Sequence, residues 1–230
     1  MIMMLRFVVN GGFIPFLFIM LCRATEDVFL SSAICLKCFT INYFFWFNHL
    51  YNGKYKPLPN CLNWLKQFIR FTDTGHLANL LICLDEKRWF TTAFSVHFII
   101  TVAYWSAKGV GKMPDLDEVK DPIIWKPFEK VMCGLNHSLP LFLLSRIAIV
   151  NKYSYELSDM LTAMAWIYAW FCCIYLPWRV VTRDVVYEIL DSKKTSRLVT
   201  FFFIQYIHIL LFASYLVANF LVWSSKITKN

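Results

Sequence analysis

The residues Asn136-His137-Ser138, followed directly by Leu139-Pro140, carry the types and spacing best suited to chemistry in this sequence. They lie within an apolar run, 131–150. An imidazole with an unperturbed pKa of about 6.5 can take a proton from a hydroxyl or thiol and return it, which makes His137 a candidate catalytic base. Pro140 has no backbone N–H, and its ring crowds the carbonyl four residues back, on Asn136, so the helix is expected to be locally open beside the histidine. Cys133 lies one turn before His137 on the same face, which sets a thiol at partner spacing. The plain structural alternative is a histidine that serves as a hydrogen-bonding strut between helices.

Other polar residues fall within apolar runs: Lys37, Asn42, Asp73, His76, Asn79, His97, Arg146, Gln205, His208 and Asn219. A polar side chain in hydrocarbon is costly, so each is either functional or bonded to a partner across helices. Gln205 and His208, three apart, share a face and suit an interhelical hydrogen bond. Asp73, His76 and Asn79 recur at the same spacing and form a polar stripe, with Arg70 close enough in sequence for an internal ion pair.

Familiar catalytic signatures are missing: there is no Gly-x-Ser-x-Gly, no His-Glu-x-x-His and no Walker sequence. Cys35-Leu36-Lys37-Cys38 is a lone Cys-x-x-Cys without a second ligand pair, so no metal and no cofactor are expected. Of the eight cysteines, only Cys61 falls outside an apolar run, and thiols inside such runs behave as small hydrophobes rather than disulfide partners.

The elements that must position these residues are read from composition. Hydrophobic residues make up 58% of the chain and charged ones 17%, with a mean hydropathy of +0.51, against about 45–50% and about 25% in soluble domains. A membrane helix needs roughly 17–25 mostly apolar residues. Runs of that kind cover 28–50, 89–106, 131–150, 161–178 and 198–223. A sixth, 7–22, follows Arg6 and ends near Ala24, the order a cleaved signal peptide also requires. A seventh, 62–84, carries Lys66, Arg70 and Asp73, each costing about 2.5–3.5 kcal/mol at the bilayer centre.

These runs predict an all-α, polytopic transmembrane helix bundle of six or seven spans, folded as one domain over 1–230. Seven crossings gather most of the Lys and Arg on one side, which is then cytosolic together with the N-terminus; leaving 62–84 uncrossed divides them almost evenly. The net charge of +8 comes from short clusters between apolar runs. There it meets anionic headgroups, so membrane lipids are the expected partners and nucleic acid is not. The segment 107–130 holds a Gly-x-Gly but no helix start to make it a phosphate site, and reads as an interfacial loop. A transporter would place broken helices at matching points of two halves; the prolines and glycines here make no such pair.

Several segments between Leu80 and Trp223 resemble the androgen-induced and androgen-dependent TFPI-regulating family of membrane proteins, related in layout to the rolling-stone proteins. Lys87-Arg88-Trp89-Phe90 leading to Val102-Ala103-Tyr104-Trp105 is similar to a family span ending in an aromatic-Trp pair. Leu135-Asn136-His137-Ser138-Leu139-Pro140 is similar to its Asn-His and Met-His-Thr segment running into Leu-Pro. Leu161-Thr162-Ala163 and Val186-Tyr187-Glu188-Ile189-Leu190 are similar to its next helix and Val-Tyr-Pro-x-Leu, and Gly53-Lys54-Tyr55-Lys56-Pro57-Leu58 more distantly to its Trp-Lys-x-Leu-Thr.

The resemblance implies an intramembrane hydrolase of fatty-acid esters of hydroxy fatty acids, working through one threonine and one histidine. The histidine carries over to His137, although the family segment has two histidines and this one has a single His. The threonine does not carry over: its place falls near Pro59, Asn60 and Cys61. Either Cys61, Cys133 or a displaced threonine such as Thr72 or Thr74 substitutes, or the fold is kept without the activity.

Overall fold

A computed structural model of the chain describes residues 69–82, 86–110 and 126–227. The expected spans 7–22 and 28–50, with Lys37 and Asn42, lie outside these residues, as does Cys61. No strand occurs among the described residues. The helices are α1 (Phe71–Ile82), α2 (Glu86–Gly109), α3 (Lys126–Asn151), α4 (Leu157–Ala169), α5 (Leu176–Thr182) and α6 (Arg197–Ile227). A π-helical turn, Trp170–Tyr175, joins α4 to α5, and a 3-10 turn, Glu188–Leu190, precedes α6.

Among the described residues, three helical stretches are long and apolar enough to cross a membrane: Trp89–Gly109, Leu157–Thr182 and Arg197–Ile227. The apolar part of α3, His137–Asn151, is shorter, and α1 at 12 residues is about 18 Å long, short of the roughly 30 Å of hydrocarbon. Of the expected span at 62–84, residues 69–82 are described, and they hold α1 just after a bend at Arg70.

α2 is the axle of the arrangement and packs against α1, α3, α4 and α6. Of its apolar window 61% is buried, against 17% for Leu157–Thr182 and 22% for Arg197–Ile227. The two outer helices therefore present most of their apolar surface outward. On α6 the buried residues Leu211, Ser214, Ala218 and Val222 follow helical spacing, while Ile209, Phe212, Leu216 and Phe220 form the exposed stripe beside them. Leucine gains nothing by leaving lipid for another leucine, so small residues that admit close backbones hold such a bundle together. Ala78, Ala93, Ala148, Ala163 and Ala218 are all fully buried at these seams, around Phe90, Phe94 and Leu144.

Local chemistry sets the element ends. α3 stops at Lys152, whose φ of 55° breaks the right-handed path. At the start of α4, Asp159 Oδ2 accepts the Glu156 N–H at 2.8 Å, and its Oδ1 accepts the Thr91 hydroxyl of α2 at 3.2 Å. In the π turn the Leu176 N–H reaches the Phe171 carbonyl five residues back, immediately before Pro177, whose missing N–H could not have continued the ordinary ladder. α5 ends at Arg183, φ 56°, where Arg179 Nη1 donates to the Arg183 carbonyl at 2.8 Å and Arg179 Nη2 pairs with Asp191 at 3.2 Å.

The turn region wraps the start of α1. Tyr187 Oη accepts the Phe71 N–H at 2.9 Å, one of the donors a helix start leaves unbonded, and Trp170 Nε1 donates to the Ile69 carbonyl at 2.9 Å. Trp170, Tyr175, Trp178 and Val186 form the buried cluster beneath.

Candidate functional site

His137 sits half-buried on α3 against the C-terminal third of α2. Its imidazole stacks on the phenol ring of Tyr104, centroids 3.9 Å apart and 15° from parallel. The Thr101 hydroxyl donates to the His137 main-chain carbonyl. Trp105 Nε1 donates to Ser138 Oγ at 2.8 Å. Thr101, Tyr104 and Trp105 occupy one face of α2 at three- and four-residue spacing, so the Asn-His-Ser segment is docked onto a polar and aromatic stripe of its neighbour. Pro140 is buried in α3 and continues the helix. The added donor from Thr101 falls on the carbonyl next to the one that Pro140 deprives of its ladder bond.

Two hydroxyls near His137 have other partners: Thr101 donates to a main-chain carbonyl, and Ser138 Oγ accepts from an indole N–H, which leaves the Ser138 proton uncommitted. The side chains of Cys133 and Asn136 lie outside the described set. The geometry supplies an imidazole held flat against the Tyr104 ring.

The other expected polar residues fall into three places. His76 and Asn79 of the expected stripe face α2, at 8% and 1% exposure, and His76 meets His97 of α2, ring centroids 5.0 Å apart; the Asp73 side chain lies outside the described set. His208 makes an interhelical bond of the expected kind. Its Nδ1 lies 2.8 Å from the Ile204 carbonyl, which can only accept, so Nδ1 carries the proton and Nε2 accepts the Tyr168 hydroxyl at 2.9 Å. Gln205 and Arg146 are exposed. Asn219 binds the main chain of Tyr155.

Three pairings of the central helix were not legible as sites: His76 with His97, Thr91 with Asp159, and Ser95 with Ser214, whose hydroxyls lie 3.1 Å apart. Gly75 was the available signal for the first. An ideal Cβ there would come within 2.8 Å of Ile100 Cδ1 and 3.1 Å of His97 Cε1, so only glycine lets α1 approach α2 this closely without displacing a neighbour. Among the described residues, no group of three or more His, Cys, Asp or Glu gathers that could hold a metal ion. Cys172 and Cys173 are free and exposed on the π turn.

Outside the spans, burial pushes the Tyr155 phenol well above its usual value of 10.0, with Asp159 adding to the rise. Comparison of the chain with protein-family models, curated proteins and solved structures finds no match.

Proposed function

We infer that the chain is a multi-span integral membrane protein, crossing six or seven times, that keeps the layout of the androgen-induced and androgen-dependent TFPI-regulating proteins without their acyl-enzyme chemistry. It acts as a lipid-binding or interaction partner in the bilayer. The observation that carries this reading is the donation of the Thr101 hydroxyl to a carbonyl beside a histidine whose ring is stacked on Tyr104. A nucleophile must be able to give its proton to its base, and the Thr101 proton is already held by a main-chain carbonyl. The outward apolar faces of Leu157–Thr182 and Arg197–Ile227 support the membrane placement, and the family resemblance makes a fatty-acid ester the ligand class to test.

The test is labelling of the full chain, in its native membrane, with a fluorophosphonate probe, alongside turnover of a fluorogenic long-chain ester. No modified residue and no turnover are expected. Stable labelling at a mapped threonine, serine or cysteine, or turnover abolished by His137→Ala, overturns the reading in favour of hydrolysis. That second reading draws on one observation of its own: His137 lies three residues before Pro140 with its ring ordered by Tyr104, the kind of fixed orientation a general base needs.

A further inference from the structure

The central helix α2 keeps one strip of its surface free between two neighbours. Toward α3 it presents Thr101, Tyr104 and Trp105, which meet the His137–Ser138 segment. Toward α6 it presents Ser95 and Ser106, whose hydroxyls lie 3.1 Å from that of Ser214 and 2.9 Å from that of Tyr206. Phe98, Val102 and Trp105 follow at four- and three-residue spacing and so share the face between these contacts. Phe98 packs against both the cluster that holds Leu144 of α3 and the one that holds Leu210 of α6, yet it is only half-buried. Val102 is half-buried as well, and Trp105 is 45% exposed. The strip is thus the floor of an apolar groove between α3 and α6 that opens toward the C-terminal end of α2. Its other end is closed, where Ala148 of α3 and Ala218 of α6 are fully buried in one cluster with Phe90.

The mouth of the groove carries hydrogen-bond donors. Lys108 Nζ stands 4.7 Å from the centroid of the Trp105 ring, and that ring's Nε1 donates to Ser138 Oγ, so the ammonium and the hydroxyl are neighbours across one indole. Ser138 Oγ accepts there and keeps its own proton uncommitted. In the Ser106–Tyr206 pair one hydroxyl donates and the other accepts, which leaves one O–H proton free. Lys108 is exposed and makes no ion pair among the described residues. An ammonium and two free hydroxyl protons gathered around one indole suit an anion. A lysine and a tryptophan in the last turns of a span stand at headgroup level, where an anion comes with an acyl chain for the groove.

We propose that the groove holds an acidic phospholipid, its phosphate at Lys108, Ser138 and the Ser106–Tyr206 pair, and one acyl chain over Val102 and Phe98. The inference rests on the lipid-binding reading and names the ligand. A phosphate directs its oxygens apart and reaches donors on both lips, whereas a carboxylate presents two oxygens along one edge. Basic pockets between transmembrane helices take headgroups in this way. A zwitterionic headgroup sets its own cation near Lys108 and is disfavoured by like charge.

The experiment titrates the full chain, purified in detergent, with dioleoyl phosphatidic acid or dioleoyl phosphatidylcholine and counts lipid adducts by native mass spectrometry. One phosphatidic acid per chain is expected, bound at least tenfold more tightly than phosphatidylcholine. Lys108→Gln weakens it about tenfold and Ser138→Ala severalfold, in keeping with hydrogen bonds to a charged group. Lys108→Arg, which keeps the charge, retains the preference. Val102→Trp fills the floor and weakens binding with every headgroup donor in place. Melting midpoints of the variants show whether each is folded, and Lys108, being exposed, gives the variant least prone to disturb packing. Equal affinity for the two lipids overturns the proposal, as does undiminished phosphatidic acid binding by the Lys108→Gln, Ser138→Ala double variant. Displacement of the lipid by glycerol 3-phosphate also overturns it, since the acyl chain would then contribute nothing. A neutral fatty-acid ester retained in place of phosphatidic acid overturns it while the lipid-binding reading stands; the absence of any lipid adduct sinks both.

Discussion

Asn219 of α6 holds both main-chain polar groups of Tyr155: its Oδ1 accepts the Tyr155 N–H at 3.1 Å and its Nδ2 donates to the Tyr155 carbonyl at 3.2 Å. The amide thereby fastens the α3–α4 connection to the last helix, and the Tyr155 ring packs edge-on to Phe94 of the central one, centroids 5.4 Å apart. Asn219→Ala leaves a main-chain donor and acceptor in a buried place without their partner. Each such group costs about 1–3 kcal/mol, so the variant is expected to melt several degrees lower in detergent. Asn219→Gln, one methylene too long for both bonds at once, recovers only part of this. A melting midpoint unchanged in Asn219→Ala would show that the clasp contributes nothing to stability.

The phenol of Tyr155 gives a pH dependence of definite sign. Burial first, and Asp159 second, raise its folded value above the usual 10.0. The unfolded chain therefore ionises first as pH rises. The stability contribution is full below about pH 10 and is lost as the pH climbs through the range between the unfolded and folded values. The hydroxyl has no hydrogen-bond partner among the described residues, so Tyr155→Phe is expected to be as stable as wild type at pH 7 and to lose less stability on going from pH 9 to pH 11. Melting curves across that range in one detergent decide it; parallel curves for the two proteins would rule the ionisation out as the cause.

Helices set by hydropathy alone were the most legible part. The expected 198–223 is observed as Arg197–Ile227 and 89–106 lies inside Glu86–Gly109, because charge at each end and unbroken apolar residues between leave little choice. The expected 161–178 lies inside a continuous helix, Leu157–Thr182, but its π turn was invisible, since one extra residue per turn shifts the register without changing hydropathy. The interhelical role of His208 was legible from its place in an apolar run; its partner Tyr168, 40 residues away, was not. The same limit hid His97 behind Gly75: periodicity reports which face a residue occupies, not which residue of another helix meets it.

Gly75 offers a direct test of how tightly α1 is seated. Alanine there would come within 2.8 Å of Ile100 Cδ1, the far end of a flexible side chain, and within 3.2 Å of two atoms of the more confined His97 ring. Overpacking of this kind costs about 1–3 kcal/mol. Ile100→Val removes the offending methyl, so the double variant Gly75→Ala, Ile100→Val is expected to be more stable than Gly75→Ala by more than half of the loss. Complete recovery would place the whole strain on Ile100. No recovery would place it on His97.

The outward face of α6 separates a lipid-facing helix from one merely exposed to water. Phe212 lies near the middle of this 31-residue helix at 53% exposure, flanked on the same stripe by Ile209 and Leu216, while Trp223 sits close to its end. In water, replacing an exposed phenylalanine by arginine is close to neutral. In a bilayer the same change costs about 2.5–3.5 kcal/mol of insertion at the helix centre, whereas an arginine near the end reaches the headgroups with its long stem and costs much less. Phe212→Arg is therefore expected to lower insertion of α6 into microsomal membranes, scored by glycosylation of a reporter site placed after the helix, while Trp223→Arg leaves it near the wild-type level. Equal insertion of both variants would mean that the Phe212 stripe faces something other than lipid, and the proposed six- or seven-span arrangement would then have to be redrawn around α6.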